Sequence, residues 1–405
     1  MVPNGWEVKS FEDIAFVGNG QVDPREEPYS SMWHIGPENV TSDTGRIKNI
    51  RRCSELGLIS GKYEFDKNSI VYSKIRPNLN KVCRPNFDGV CSADMYPIWT
   101  KEGLYADYLF YYMLGPKFYS TAVSMSMRTG MPKINRTDLD TIKINIPPIN
   151  EQQKIAKILS TWDEAISITE RLIENSTQHK KALMQQLLTG KKRLLDHEGQ
   201  QFEGEWKEVK LLDIGKCITG LTYSPDDVVE NDGMLVLRSS NVQNGKLAFH
   251  DNVYVSSDLK VKSKTKKGDI LVCVRNGSKN LIGKSALIRG RAENEAHGAF
   301  MTLYRCVYPD YIFQLFQSNL FYRQVNKNLG ATINSINNSD LHKFKFLIPN
   351  DEEEIAKIAT VLTNADREIE LLEQQLADLQ QEKKALMQVL LTGKVRVVVD
   401  GDNLA

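Results

Sequence analysis

The fourteen residues KALMQQLLTGKKRL at 181–194 return as KALMQVLLTGKVRV at 384–397, with eleven identities at an offset of 203. A repeat this close commits the chain to two related units. Upstream, Ile155-Ala156-Lys157-Ile158 recurs as Ile355-Ala356-Lys357-Ile358 at an offset of 200, which predicts three extra residues in the second copy between the two blocks. Trp6 and Asp13-Ile14 are echoed by Trp206 and Asp213-Ile214, and Ile134-Asn135 and Asp138-Leu139 by Ile336-Asn337 and Asp340-Leu341. A period near 200 residues means two whole domain-plus-helix units and excludes a solenoid of short repeats.

The repeated blocks close two long helices. The first is expected over 151–189, after Pro147-Pro148, with Asn150 and Gln153 in capping-box spacing and Gly190 at its end. The second is expected over 351–392, opened by Asn350 and Glu353 and closed by Gly393, with Asp351 to Glu354 on the positive end of its dipole. At about 1.5 Å per residue these rods reach ~59 and ~63 Å. Both carry heptad spacing. In the first, the seam is Ile155, Leu159, Trp162, Ile166, Thr169, Ile173, Ser176, Lys180, Leu183 and Leu187; in the second, Ile355, Ile358, Leu362, Ala365, Ile369, Leu372, Leu376, Leu379, Lys383, Leu386 and Leu390. Either the rods only oligomerise copies of the chain, or they pair with each other, antiparallel, and hold two similar domains at opposite ends. Antiparallel pairing sets Ser176 opposite Ile369 and Thr169 opposite Leu376.

Between the rods the sequence is strand-rich and turn-rich. Ser69-Ile70-Val71-Tyr72 and Asp269 to Val274 read as strands punctuated by Gly, Asn and Pro, so the expected fold class is mixed α/β. At equivalent places these strands run into basic turns, SKIRPNLNK with Lys74, Arg76, Asn78 and Lys81, and RNGSKN with Arg275, Asn276, Ser278 and Lys279. Arg76 and Arg275 correspond at an offset of 199 in this alignment. Arginine clamps guanine O6 and N7, and asparagine clamps adenine, so the loops suit base readout in a major groove; they also suit solvated hairpin turns. Lys262, Lys264 and Lys266 in KVKSKTKK fit phosphate contact or a wet charged face, and Arg128 precedes a Gly turn in MSMRTGMPKIN.

A nucleic-acid binder is usually basic, whereas this chain is only +1 overall. The distribution is uneven: net +1 over 1–145, +2 over 146–196, +4 over 197–347 and −6 over 348–405. Screening confines exposed charges to about 10 Å, so a local basic face remains compatible with the neutral total. The composition, 41% hydrophobic and 25% charged, is that of a folded globular protein. No run approaches the roughly 18 apolar residues of a membrane span, and Met1 to Ser10 lacks a secretory pattern, which predicts a cytoplasmic protein. Six cysteines without a Cys-x-x-Cys pair read as free thiols, and six histidines show no ligand spacing.

Catalytic signatures fail on inspection. Gly283-Lys284-Ser285 resembles the end of a phosphate-binding loop, but the required upstream glycine is replaced by Ser278. Pro225-Asp226 with Asp258-Leu259-Lys260 mimics a metal-dependent nuclease signature, yet lies in a loop and a lysine run. Asn145-Ile146-Pro147-Pro148 is a helix lead-in, not a methyltransferase Asn/Asp-Pro-Pro-Tyr. The expectation is a non-catalytic chain with no cofactor or metal of its own.

The whole layout resembles the DNA specificity subunit of type I restriction-modification systems. IPPINEQQKIAKIL (146–159) and KALMQQLLTGKKRL carry the likeness most specifically, and LVCVRNGSKNLIGKSALI (271–288) resembles the core of a recognition domain. The second lead-in, LIPNDEEEIAKIA, departs in having one proline where the first has two. The resemblance implies target-recognition domains at 1–146 and 197–347, and spacer helices at 147–196 and 348–405 that form an antiparallel coiled coil. It implies partners too: double-stranded DNA, two adenine methyltransferase subunits and, in the full complex, restriction subunits. Those partner subunits supply the S-adenosylmethionine, ATP and Mg chemistry. The competing reading is a coiled-coil scaffold whose end domains bind protein or carbohydrate.

Overall fold

Neither proline nor glycine occurs between Pro148 and Gly190, or between Pro349 and Gly393, so nothing interrupts helical hydrogen bonding over either stretch. In the computed structural model, which describes residues 3–126, 132–230, 233–329 and 334–398, these become single helices, Ile149–Leu187 and Glu352–Leu390, each 39 residues long. Both end where a glycine takes a left-handed φ, +69° at Gly190 and +71° at Gly393. The Lys192 and Val395 amides then fold back onto the Gln186 and Val389 carbonyls, at 3.2 and 3.3 Å. No helix among the described residues is long and apolar enough to cross a membrane.

The expected three-residue insertion is absent. The helices begin and end at a constant offset of 203, and burial follows it: Ile155, Ala156 and Leu159 are buried in one, Ile358, Ala359 and Leu362 in the other. Ile155 therefore corresponds to Ile358, and the IAKI match at 200 is a slip of about one turn. Apolar residues three apart share a helix face, so sequence alone could not choose between the two alignments.

The chain divides into two compact units, Met1–Glu170 with Gln374–Ala405, and Arg171–Glu373. The first contains an antiparallel sheet in the order Ala15–Val17, Met95–Thr100, Ile70–Ser73, Val82–Cys83. A second sheet runs Arg51–Arg52, Trp33–Ile35, Gly89–Cys91, Tyr63–Phe65, with its middle pair parallel. Glu7–Ser10 pairs with Lys143–Ile146, directly before the long helix. The core gathers Phe11, Tyr108, Leu109, Ile134 and Ile144 with Ile155, Ala156 and Leu159 of the first long helix and Leu390 and Leu391 at the end of the second.

The second unit repeats the plan. Its first sheet is ordered Gly215–Thr219, Met301–Cys306, Ile270–Cys273, Ser285–Leu287, and its second Val228–Val229, Tyr254–Val255, Met234–Leu237, Ala296–His297, again with one parallel pair. Trp206–Lys210 pairs with Lys345–Pro349 before the second helix. The core joins Tyr304, Phe316 and Phe321 to Leu187 and Leu188 of the first helix and Ile355, Ile358 and Leu362 of the second.

Within each unit the two helices run antiparallel. In the first, Asp163 meets Lys383 at 2.5 Å and Glu151 meets Arg396 through Nε at 2.9 Å. In the second, Lys180 meets Asp366 at 2.5 Å, the Ser176 hydroxyl donates to Glu368 Oε1 at 3.1 Å, and Arg193 grips Glu354 with Nε and Nη2 at 2.6 and 2.7 Å. Of the heptad residues, Ile155, Leu159, Ile166, Thr169, Leu187, Ile355, Ile358, Leu362 and Leu390 are buried. Trp162, Ile173, Ser176, Leu183, Ile369, Leu372, Leu376, Leu379 and Leu386 are half-buried. The apolar stripe is thus spent mainly on the domain cores near the helix ends. Thr169, polar on that stripe, is satisfied by its own helix, donating to the Ala165 carbonyl at 2.9 Å.

Candidate nucleic-acid interface

In the second domain, strand Ile270–Cys273 continues into Val274 and Arg275, whose amides both donate to the Phe300 carbonyl, at 3.0 and 3.1 Å. The chain then leaves the sheet, and the Arg275 guanidinium lies 5.7 Å over the Phe300 ring. Phe300 is 56% exposed, which no core role explains. Asn276 is oriented by its Nδ2 donating to Ser239 Oγ at 3.0 Å, and its Oδ1 accepts from the Ser278 amide at 3.0 Å. Beside them opens a cleft of about 550 Å³ lined by Tyr223, Arg238, Ser239, Asp251 and Phe300. Arg238 is held by Asp251 at 3.0 Å, and its buried Nε has no hydrogen-bond partner among the described residues. Cations held over aromatic rings at the rim of a polar cleft combine phosphate attraction, stacking and hydrogen-bond donation.

Lys279 is exposed at the start of a short turn, Lys279–Leu281. Lys262, Lys264 and Lys266 are exposed as well, on the segment leading into Ile270–Cys273, so they stand at the opposite end of that strand from Arg275. The fold does not bring the lysine run and the Arg275 loop together. The run is tethered where Arg305 reaches the Lys264 carbonyl at 3.2 Å while pairing with buried Asp269 through two hydrogen bonds of 2.7 Å.

In the first domain, Lys74 Nζ lies 5.2 Å over the Tyr96 ring, and Arg76 and Asn78 are exposed. Lys81 is committed to the fold: its ammonium donates to the Pro37 carbonyl at 2.5 Å, as Lys284 does to Val242 at 2.8 Å in the second domain. Arg128 lies outside the described residues. Two further cations, absent from the sequence-based expectation, are Arg238 and Arg136. The Arg136 guanidinium sits 5.2 Å over Tyr96 and 5.9 Å over Tyr63 and donates to the Val17 and Gly18 carbonyls, so Tyr96 is flanked by Lys74 and Arg136. No local signal in the sequence singles these arginines out, because the repeat sets Asn338 opposite Arg136 and the groups they meet, Tyr63, Tyr96 and Asp251, are distant in sequence.

The expected equivalence of Arg76 and Arg275 is off by one residue. Lys74 and Val274 occupy the same place: their amides donate to Asp94 and Phe300, and their carbonyls accept from Ile134 and Ile336. Ile75 therefore matches Arg275, and Arg76 matches Asn276. Arg76 takes a left-handed φ of +48° and gives its amide to Pro132, so the two loops leave equivalent strands along different paths.

The groups that mimic a phosphate-binding loop are engaged in the fold. The Gly283 amide donates to Cys273, Lys284 to Val242, and Ser285 Oγ accepts from Gln317 at 2.9 Å. Among the described residues no group of three or more His, Cys, Asp and Glu is placed to hold a metal, and all six cysteines are free.

The family model of the type I restriction modification DNA specificity domain matches this chain twice, over residues 3–176 and 203–381. The chain is 35% identical to the EcoDI type I restriction enzyme specificity subunit of Escherichia coli, over 46% of this chain and 41% of that protein, so the match spans less than half of that relative. It is 28% identical to the MjaVIII type I restriction enzyme specificity subunit of Methanocaldococcus jannaschii, over 76% of this chain and 75% of that one. A solved chain from a type I R-M system shares its fold with a TM-score of 0.61 and 18% identity, covering 98% of this chain and all of its own.

Proposed function

The chain belongs to the type I restriction-modification DNA specificity family, and from that premise we propose that it is the non-catalytic subunit that reads a two-part DNA site for its enzyme complex. Each recognition domain, 1–146 and 197–347, reads one half. The helices of 147–196 and 348–405 pair as an antiparallel coiled coil and fix the gap between the halves, as half-site spacing follows protein geometry in other DNA binders. Two methyltransferase subunits, and restriction subunits in the complete assembly, bind this chain and bring the S-adenosylmethionine, ATP and Mg chemistry. The Arg275 loop with Arg238 and Phe300, and the Arg76 loop with Lys74, Arg136 and Tyr96, touch bases; Lys262, Lys264, Lys266 and Lys279 touch phosphates. Lys81 supports its loop from behind.

One observation carries this reading. The two domains share the strand order of their first sheet and the hydrogen bonds at the loop root, yet present different residues there, Lys74-Ile75-Arg76 against Val274-Arg275-Asn276. A shared scaffold with divergent loops is what two different half-sites require. The test is selection from random DNA by the purified complex with its methyltransferase subunits. Enrichment of two unlike half-sites at one fixed separation is expected; a single continuous site, or none, would overturn the proposal.

A further inference from the structure

Two charged residues sit where the heptad stripe calls for apolar ones. The Lys383 side chain is 9% exposed and that of Lys180 13%. An ammonium so buried is tolerated only with a partner, and each has one on the opposite helix, Asp163 and Asp366. The other oxygen of each carboxylate is aimed by a recognition domain: the Tyr111 hydroxyl donates to Asp163 Oδ2 at 2.8 Å, and Gln314 Nε2 donates to Asp366 Oδ2 at 2.7 Å. Tyr111, Asp163 and Lys180 recur as Gln314, Asp366 and Lys383 at the one offset of 203, so each unit holds one lysine–aspartate triad.

The spacing makes the triads selective. Asp163 and Lys180 are 17 residues apart on the first helix, and Asp366 and Lys383 are 17 apart on the second, so one register satisfies both pairs. Sliding the helices by a heptad one way sets both aspartates against Leu376 and Ile173 and both lysines against Ala156 and Ala359. Sliding the other way sets the aspartates against Leu390 and Leu187 and the lysines against Glu170 and Glu373. Those two glutamates are already taken by cations of their own domains, Glu170 by Arg46 and Glu373 by Lys246 at 3.1 Å.

We infer that the Lys383–Asp163–Tyr111 and Lys180–Asp366–Gln314 triads select the register of the two helices, and through it act as positioning residues that determine the permitted gap between half-sites. A polar group in an apolar seam commonly fixes register at some expense of stability. The link to the gap rests on the function proposed above; the register assignment does not.

The test uses the methyltransferase complex carrying Lys180→Met and Lys383→Met together, with two readouts. Register is read by disulfide formation within one chain between Ser176→Cys and Ile369→Cys, compared with Ser176→Cys and Leu376→Cys. The gap is read by methylation of a substrate library holding the half-sites fixed and varying the spacer. The expected result is a severalfold fall of the 176–369 product, appearance of the 176–376 product, and replacement of one preferred spacer by two or more. Should the double variant fold poorly, Lys383→Asp alone is expected to broaden the spacer preference and Lys383→Asp with Asp163→Lys to restore it. An unchanged cross-link pattern and spacer in the methionine variant, or failure of the charge swap to restore what Lys383→Asp loses, would overturn the register assignment. A changed cross-link pattern with one unchanged spacer would support the register assignment and overturn the reading that the helices set the gap.

Discussion

Replacing Arg275 with alanine is the most direct probe of base readout in the second domain. Its guanidinium is exposed, held 5.7 Å over Phe300, and free to present its fork to a guanine edge. A bidentate arginine–guanine pair discriminates by ~1–3 kcal/mol, or about 5- to 150-fold in affinity. Arg275→Lys keeps the charge and loses the fork, so it should forfeit most of that discrimination while retaining the salt dependence of binding. Phe300→Leu removes an exposed cation–π interaction of ~0.5–1 kcal/mol and is expected to weaken binding about 2- to 5-fold without changing the preferred base. The assay is binding of the methyltransferase complex to DNA carrying every single-base change, one half-site at a time. Relaxation confined to one position of the second half-site is expected, and Arg76→Ala should relax the first half instead. If Arg275→Ala lowered affinity equally for all bases, or relaxed the same half-site as Arg76→Ala, the assignment of this loop to base readout would be refuted.

Changing Lys262, Lys264 and Lys266 together to serine should lower the slope of log affinity against log salt by up to ~0.9 for each phosphate no longer neutralised, with base preferences intact, as measured by titration at several salt concentrations. Burial holds the His34 imidazole at a pKa of about 4, with Lys62 as a second depressing influence, and neither ring nitrogen has a hydrogen-bond partner among the described residues. The unfolded chain therefore takes up this proton first as pH falls, so stability present above about 6.5 should drain away by roughly 3 kcal/mol on approach to pH 4. His34→Leu should flatten that limb of a urea-unfolding profile measured across pH. Matched four-residue insertions between Glu174 and His179 and near Gln375 should lengthen the preferred spacer by about one to two base pairs with both half-sites retained; an unchanged optimum in a library of spacer lengths would show that something else sets the gap.

The duplication, the two long helices and the places where each basic loop leaves a strand are legible in the amino-acid order, because they rest on local rules: identity of the repeated blocks, uninterrupted helix formers, and glycines that end helices whatever surrounds them. The same order leaves Lys180 as a flaw in the first heptad stripe and Lys383 as a lone polar member of the second, and it misaligns the helix starts by three residues. A lysine on an apolar face and an alanine–isoleucine repeat each have more than one local solution, and packing chooses among them. Burial on the 203 offset aligns Ile155 with Ile358, and the opposing helix supplies Asp163 and Asp366. Likewise Lys81 and Lys74 look alike in a basic turn, but one ammonium is spent on the Pro37 carbonyl and the other lies over Tyr96. Arg136 and Arg238 join the candidate interface only because folding brings Tyr63, Tyr96 and Asp251 to them. A side chain's charge follows from its residue type, whereas its availability depends on which distant groups desolvate or bind it, and those neighbours exist only once the chain has folded.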